Sequence, residues 1–281
     1  MALGINTNMY SLTAQKNLAT TQSSLATSMQ RLSSGLRING AADDAAGLAI
    51  SQRMTSQING MTQASQNAND AISFMQTADG AASQITDNLQ RMRDLAVQAG
   101  NGTYNSGDRD AMQVEFSQLG AEVSRIAQNT KFNNINLLAS GNVFNFQVGA
   151  GTASDNQISM STVDLQASTL GIDSGSIDIT GSAGSAGGAD AISSVGILDC
   201  ALNTINTNRA NFGAALNRTQ AVISNLQQSI TNQSAARGRI TDTDFAAETA
   251  NLSRSQILQQ AGTAMLAQAN AMPNNVMSLL K

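Results

Sequence analysis

The residues able to do chemistry are few and poorly grouped. Histidine is absent from all 281 residues, so no Ser-His-Asp or Cys-His nucleophile, no HExxH zinc site and no imidazole base can be assembled. One cysteine, Cys200, stands in an apolar helical pattern and reads as a small buried hydrophobe; a single thiol forms no disulfide within the chain. Asp242 and Asp244 are spaced like paired carboxylates or the start of a cation loop, but no Gly or Glu follows at calcium-loop spacing. A helix N-cap ahead of Phe245 fits them better. Asp43 and Asp44 read the same way, at the positive end of an earlier helix. Gly149-Ala-Gly151 lacks the third glycine and the strand-to-helix setting of a dinucleotide loop, and reads as a turn. No catalytic residue, cofactor-binding residue or metal ligand is nominated; no cofactor is expected, and the chain is not expected to be an enzyme.

What the sequence does carry is long helical periodicity. Ile5, Met9, Leu12, Leu18, Leu25, Met29, Leu32 and Leu36 mark a seam down one face of a first helix. After Gly35 and the break at 40–44, a second pattern runs from Met54 through Ile58, Met61, Ala68, Ile72, Met75, Ile85, Leu89 and Met92 to Ala99. A helix over 46–99 would be about 80 Å long. The Gly-, Asn- and Ser-rich stretch 100–107 ends it. A shorter helix over about 108–129 carries Met112, Phe116, Leu119, Val123 and Ile126. Leu198, Leu202, Ile205, Arg209, Phe212, Leu216, Thr219, Ile223, Leu226 and Ile230 then alternate steps of four and three. A last amphipathic segment has Leu258, Ala261, Met265, Ala269, Met272, Val276 and Leu279, with Pro273 expected to kink the helix or start its last turns.

Between the long patterns, residues 141–195 differ in texture. Val143–Val148, Ile158–Met160 and Ile177–Ile179 alternate apolar with polar and read as short strands. This stretch holds five Asp and no Lys or Arg. The rest of the chain is nearly balanced in charge, which argues against nucleic-acid binding. Only 12% of residues are charged, against about 25% in typical domains, so polar faces must be built from Asn, Gln, Ser and Thr. A single Pro and no Trp favour long helices packed in narrow seams. The first residues have no basic region followed by an apolar run, so no cleaved secretory signal is expected. No stretch is apolar enough to insert into a membrane.

The expected fold is mainly α: a long antiparallel, coiled-coil-like helical rod with terminal helices and a small insert containing a β-hairpin. Helices with so narrow an apolar stripe do not offset their own ordering entropy, so both terminal segments are expected to be loose in the single chain and to order against neighbours.

Several stretches resemble bacterial flagellins: MALGINTN at 1–8, QRLSSGLRINGAADDAAGLAIS at 30–51 and QQAGTAMLAQANAMPNNVMSLL at 259–280. Support comes from NLQRMRDLAVQAGNG at 88–102, TKFNNINLLAS at 130–140 and RITDTDFAAETANLSR at 239–254. The resemblance implies a subunit that polymerises into the flagellar filament used for motility. It implies residues 1–45 and 241–281 as the helices of an inner core domain, 46–140 and 196–240 as a rod-like domain, and 141–195 as a variable surface insert, the large outer domains of longer flagellins being missing. The implied polymerisation seam is Ile5, Met9, Leu12, Leu25, Met29, Leu32, Leu258, Met265, Met272, Val276 and Leu279. Implied partners are other copies of the chain in a helical homopolymer, the flagellar export apparatus, an export chaperone, and cap and hook-associated proteins. The implied location is extracellular. Arg91, Leu95 and Glu115 match positions bound by the vertebrate Toll-like receptor for flagellin, and 30–51 resembles the segment sensed by plants, so innate immune receptors are further candidate partners.

Two other readings stand beside this one. A hook-filament junction protein has similar termini but makes a short stack, and a coiled-coil surface adhesin would place its ligand on the insert. The insert also carries Ser159, Ser161, Thr162, Ser168, Thr169, Ser174, Ser176, Thr180, Ser182 and Ser185, which make O-linked glycosylation an expectation for a solvent-facing segment.

Overall fold

The computed structural model describes residues 7–173, 177–180 and 187–278, with only the backbone of 187–189 and 273–278 described. The chain divides into two compact units, one made of residues 1–58 and 231–281 and the other of residues 59–230. Six helices, α1 (Met9–Ser34), α2 (Ala45–Ala99), α3 (Ser106–Asn129), α4 (Ala167–Leu170), α5 (Gly187–Thr241) and α6 (Phe245–Ser278), account for most of the described residues. The strands are β1 (Lys131–Phe132), β2 (Ile135–Asn136), β3 (Val143–Gln147) and β4 (Gln157–Ser161). The molecule is therefore mainly helical with small hairpins, as its periodicity requires.

In the unit of residues 59–230, the predicted stripes become a core. Ala68, Met75, Ala78, Ala82, Ile85, Leu89, Met92 and Ala96 of α2 are buried, with Leu198, Ala201, Ile205 and Phe212 of α5 and Phe116 and Val123 of α3. Alanine at so many inner positions lets the helices approach closely. The helices α2 and α5 run antiparallel here, as the Arg93–Asp199 pair at 2.8 Å and the Arg209–Asp79 pair at 2.9 Å show. These pairs are partly exposed and screened by solvent, so they fix register more than they stabilise.

Asn105 opens α3 with a capping box shared with Asp108. Asn133 and Asn134, both at positive φ, form the two-residue turn of the β1–β2 hairpin, a conformation Asn tolerates. The antiparallel β3–β4 pair turns Phe144 and Phe146 onto Phe74 of α2 at ring distances of 4.8 and 5.3 Å, and Phe132 joins them at 5.8 Å, all edge-on.

Three expectations are corrected in this unit. Ile177–Ile179 is not a strand: the Ile177 N–H donates to the Asp173 carbonyl, and the side chain of Gln113 of α3 clips the rest, its Nε2 donating to the Ile177 carbonyl at 3.2 Å and its Oε1 accepting from the Ile179 N–H at 2.9 Å. Alternation showed that both isoleucines point the same way, which they do, into the core, but alternation says nothing about what pairs with the backbone. Cys200 is exposed, not buried, because the inner face of α5 passes through Leu198 and Ala201 on either side of it. Helix α5 opens at Gly187, inside the stretch read as strands and turns, because Ala191 and Ser194 bury its first turns.

The Ser and Thr residues of the insert do not all face solvent either. Thr162 is buried and donates to the Ser140 carbonyl at 3.0 Å, while Ser174, Ser176, Ser182 and Ser185 lie outside the described residues.

In the unit of residues 1–58 and 231–281, the chain ends are tied by backbone. The Arg37 N–H donates to the Thr241 carbonyl at 2.7 Å and the Thr243 N–H to the Gly35 carbonyl at 3.0 Å. Gly35, at φ 71°, is the left-handed cap of α1. The aspartates do capping work. Asp44 accepts from the Gly47 N–H and Asp244 from the Ala246 and Ala247 N–H groups, while Asp43 holds the 39–40 turn through the Asn39 and Gly40 N–H groups. Helix α6 continues through Pro273 to Ser278.

Candidate assembly surface on the terminal helices

Helices α1 and α6 lie antiparallel. The Asn8 side chain donates to the Ala269 carbonyl at 2.8 Å, the Ser11 hydroxyl to Asn270 Oδ1 at 2.7 Å, Leu18 lies against Gly262, and Gly35 lies against the Phe245 ring. The fully buried residues of the pair are small or polar: Ser11, Ser28, Ser255, Glu248 and Ala269. Among the described residues, the carboxylate of Glu248 meets neither a hydrogen-bond donor nor an ion-pair partner, and a mainly hydroxyl-lined groove that also includes Arg31 and Arg254 runs beside it. Among the described residues, Arg31 pairs with Asp43, at 3.9 Å.

Many of the large apolar side chains are exposed instead. Met9 is 59% exposed, Leu12 51%, Met29 57%, Leu258 51%, Met265 64% and Met272 41%. Leu25 and Leu32 are half-buried. Ile5 and Leu279 lie outside the described residues, as does the side chain of Val276. Leu258, Met265 and Met272 recur every seven residues, so they form a stripe along α6. With Met9, Tyr10 and Leu18 of α1 they line an open groove of about 680 Å³. A heptad reading of α1 missed Tyr10, which stands one residue off the stripe, and the same reading of α6 missed Ile257, also exposed.

The hydroxyls of this surface have mostly spent their hydrogens. Thr13, Thr20, Thr21, Ser24 and Thr27 donate to carbonyls four residues back in α1, which satisfies them without a partner helix.

In the other unit, Arg91 of α2 and Glu115 of α3 are exposed and paired at 2.7 Å. Leu95 is 2% exposed, so it is corrected from a surface contact to a core residue. It shares the inner face of α2 with Met92 and Ala99.

The N-terminal residues 5–143 match the family model for the bacterial flagellin N-terminal helical region, and residues 195–280 match that for the C-terminal helical region. The chain belongs to the bacterial flagellin family. Flagellin FlaB1 of Treponema pallidum (strain Nichols) is 39% identical over 288 residues, and the flagellar filament 33 kDa core protein of Treponema phagedenis 41% over 293. Each match covers 99% of both chains. Among solved structures, a Vibrio parahaemolyticus chain described as a flagellar hook-associated protein superposes with a TM-score of 0.58 at 12% identity, covering 71% of this chain and all of that one, a likeness of fold alone. The chain is thus a short flagellin and a structural subunit of the flagellar filament. Among the described residues, no helix is long and apolar enough to cross a membrane.

Proposed function

We propose that this flagellin polymerises through the exposed faces of α1 and α6, with Met9, Leu12, Met29, Leu258, Met265 and Met272 as the exposed part of the contact, the half-buried Leu25 and Leu32 at its edge, and Ile5, Val276 and Leu279 completing it. The observation that carries the reading is the exposure of the terminal pair: its fully buried residues are small or polar, while Met9, Leu12, Met29, Leu258, Met265 and Met272 are each at least 41% exposed. Covering a fully exposed Leu or Met contributes about 1.5–3 kcal/mol, so side chains already half-covered contribute roughly 1 kcal/mol each. Repeated over many contacts per subunit, that drives association that a single chain cannot achieve.

On this reading residues 1–45 and 241–281 are the inner core of the filament, 46–140 and 196–240 its rod-like part, and 141–195 its surface insert. The chain passes through the flagellar export apparatus with an export chaperone, meets the cap and hook-associated proteins, and works outside the cell without enzymatic activity. Arg91 and Glu115 remain the candidate contacts for innate immune receptors. The filament reading is favoured over a junction protein by relatives named as filament core proteins that match end to end.

Deleting 1–40 or 242–281 tests this: seeded incubation should then give no filaments in electron micrographs. Replacing Leu258 and Met265 together by Ser should also weaken assembly while the chain remains helical. Filaments forming as before from both deletions would overturn it.

A further inference from the structure

Three Asn-Gly sequences occur, at Asn39-Gly40, Asn59-Gly60 and Asn101-Gly102. In such a pair the glycine nitrogen can attack the asparagine carboxamide carbon. A ring N–C bond forms, the C–N bond to the side-chain nitrogen breaks, and ammonia leaves with the proton from the attacking nitrogen. Water then opens the succinimide at either carbonyl and leaves an aspartyl or isoaspartyl residue. Glycine favours this because it has no Cβ in the way and wide backbone freedom. The reaction also needs a nitrogen not held by an acceptor and a backbone able to turn.

The structure separates the three sites. The Gly40 N–H donates to Asp43 Oδ2 at 3.0 Å, while the Asn39 side chain donates to the Leu36 carbonyl at 2.9 Å. Asn59 and Gly60 lie inside α2, where the helical ladder holds the backbone, and Gly60 is packed so tightly that a Cβ there would fall 2.7 Å from that of Ala150. Asn101 and Gly102 are exposed in the turn between α2 and α3. Among the described residues the Gly102 N–H has no acceptor, and a Cβ on Gly102 would meet nothing within 4 Å. The Asn101 carboxamide oxygen accepts from the Thr103 N–H at 3.3 Å, which polarises the carbonyl toward attack, and its amide nitrogen is bound by nothing.

We propose that Asn101 is a site of spontaneous succinimide formation and deamidation, with water as the co-reactant, and that of the three it is the one that reacts in the folded chain. The product puts a carboxylate into the turn. Its isoaspartyl form adds a backbone methylene that displaces the hydrogen bond from the Tyr104 N–H to the Asn101 carbonyl.

The test is to hold the full chain, folded, in warm and mildly alkaline buffer and to map its tryptic peptides by mass spectrometry. The peptide carrying Asn101 should gain the mass of NH2 replaced by OH and split into aspartyl and isoaspartyl forms at least about tenfold faster than those carrying Asn39 or Asn59, the factor that corresponds to about 1.4 kcal/mol. In urea the three should converge, and Gly102→Ala should slow the folded reaction without loss of helicity. Equal rates at the three sites in the folded chain, or no difference between folded and urea-treated rates at Asn39 and Asn59, would overturn the proposal.

Discussion

Replacing Gln113 by Leu removes the amide that clips the 177–179 segment while keeping a similar volume, so water cannot fill its place. The Ile177 carbonyl and the Ile179 N–H lose their partners at 3.2 and 2.9 Å. Each buried polar group left unpaired costs about 1–3 kcal/mol, giving about 2–6 kcal/mol for the pair. Against this, Ile172, Ile177 and Ile179 are all at most 2% exposed, and burial contributes about 1.5–3 kcal/mol for each. Burial is the larger quantity. The segment therefore stays docked, and the loss appears as lower stability of the 59–230 unit instead of local release. Urea unfolding followed by circular dichroism should show the transition of that unit at lower denaturant with an unchanged slope. Val114→Ala, on the exposed neighbour, should leave it in place. A Gln113→Leu midpoint equal to that of the parent, with the Ile179 amide as protected from exchange as before, would refute the reasoning.

Two further predictions concern single groups. The Thr180 hydroxyl, and after it the Thr180 N–H, hold the Asp178 carboxyl below the ordinary carboxylate value. The stabilisation is therefore present above the unfolded pKa of about 4 and is lost as pH falls through the lower folded value. Thr180→Ala should raise the Asp178 titration midpoint followed by NMR; an unmoved midpoint would contradict the cause. Cys200, exposed on α5, should react with a maleimide in the native chain, and labelling only after denaturation would show that its surroundings are closed.

Helix type and extent were largely legible, because long apolar periodicity leaves little alternative. Helix α2 occupies Ala45–Ala99 where spacing placed 46–99, and α5 keeps Leu198, Ile205, Phe212 and Leu226 buried. The terminal seam was less legible. Spacing grouped Leu25, Met29 and Leu32 on one face, but Ser28 takes the inner position and Met29 turns outward. Two helices in close approach select small residues, and hydrophobicity alone cannot see that choice. Leu95 shows the converse: its motif suggested recognition, while its place on the α2 stripe fixed it in the core. The backbone partner of 177–179 was invisible because a side chain 64 residues away supplies it.

The central claim is that the apolar side chains outside the terminal pair are covered when copies assemble. Methionine oxidation by peroxide, mapped residue by residue, reads this directly, since it follows exposure of the thioether. Met9, Met265 and Met272 should oxidise readily in the dissociated chain and be protected in sedimented filaments, with buried Met75 and Met92 slow in both. Equal oxidation of Met265 and Met272 in the two states would contradict the claim.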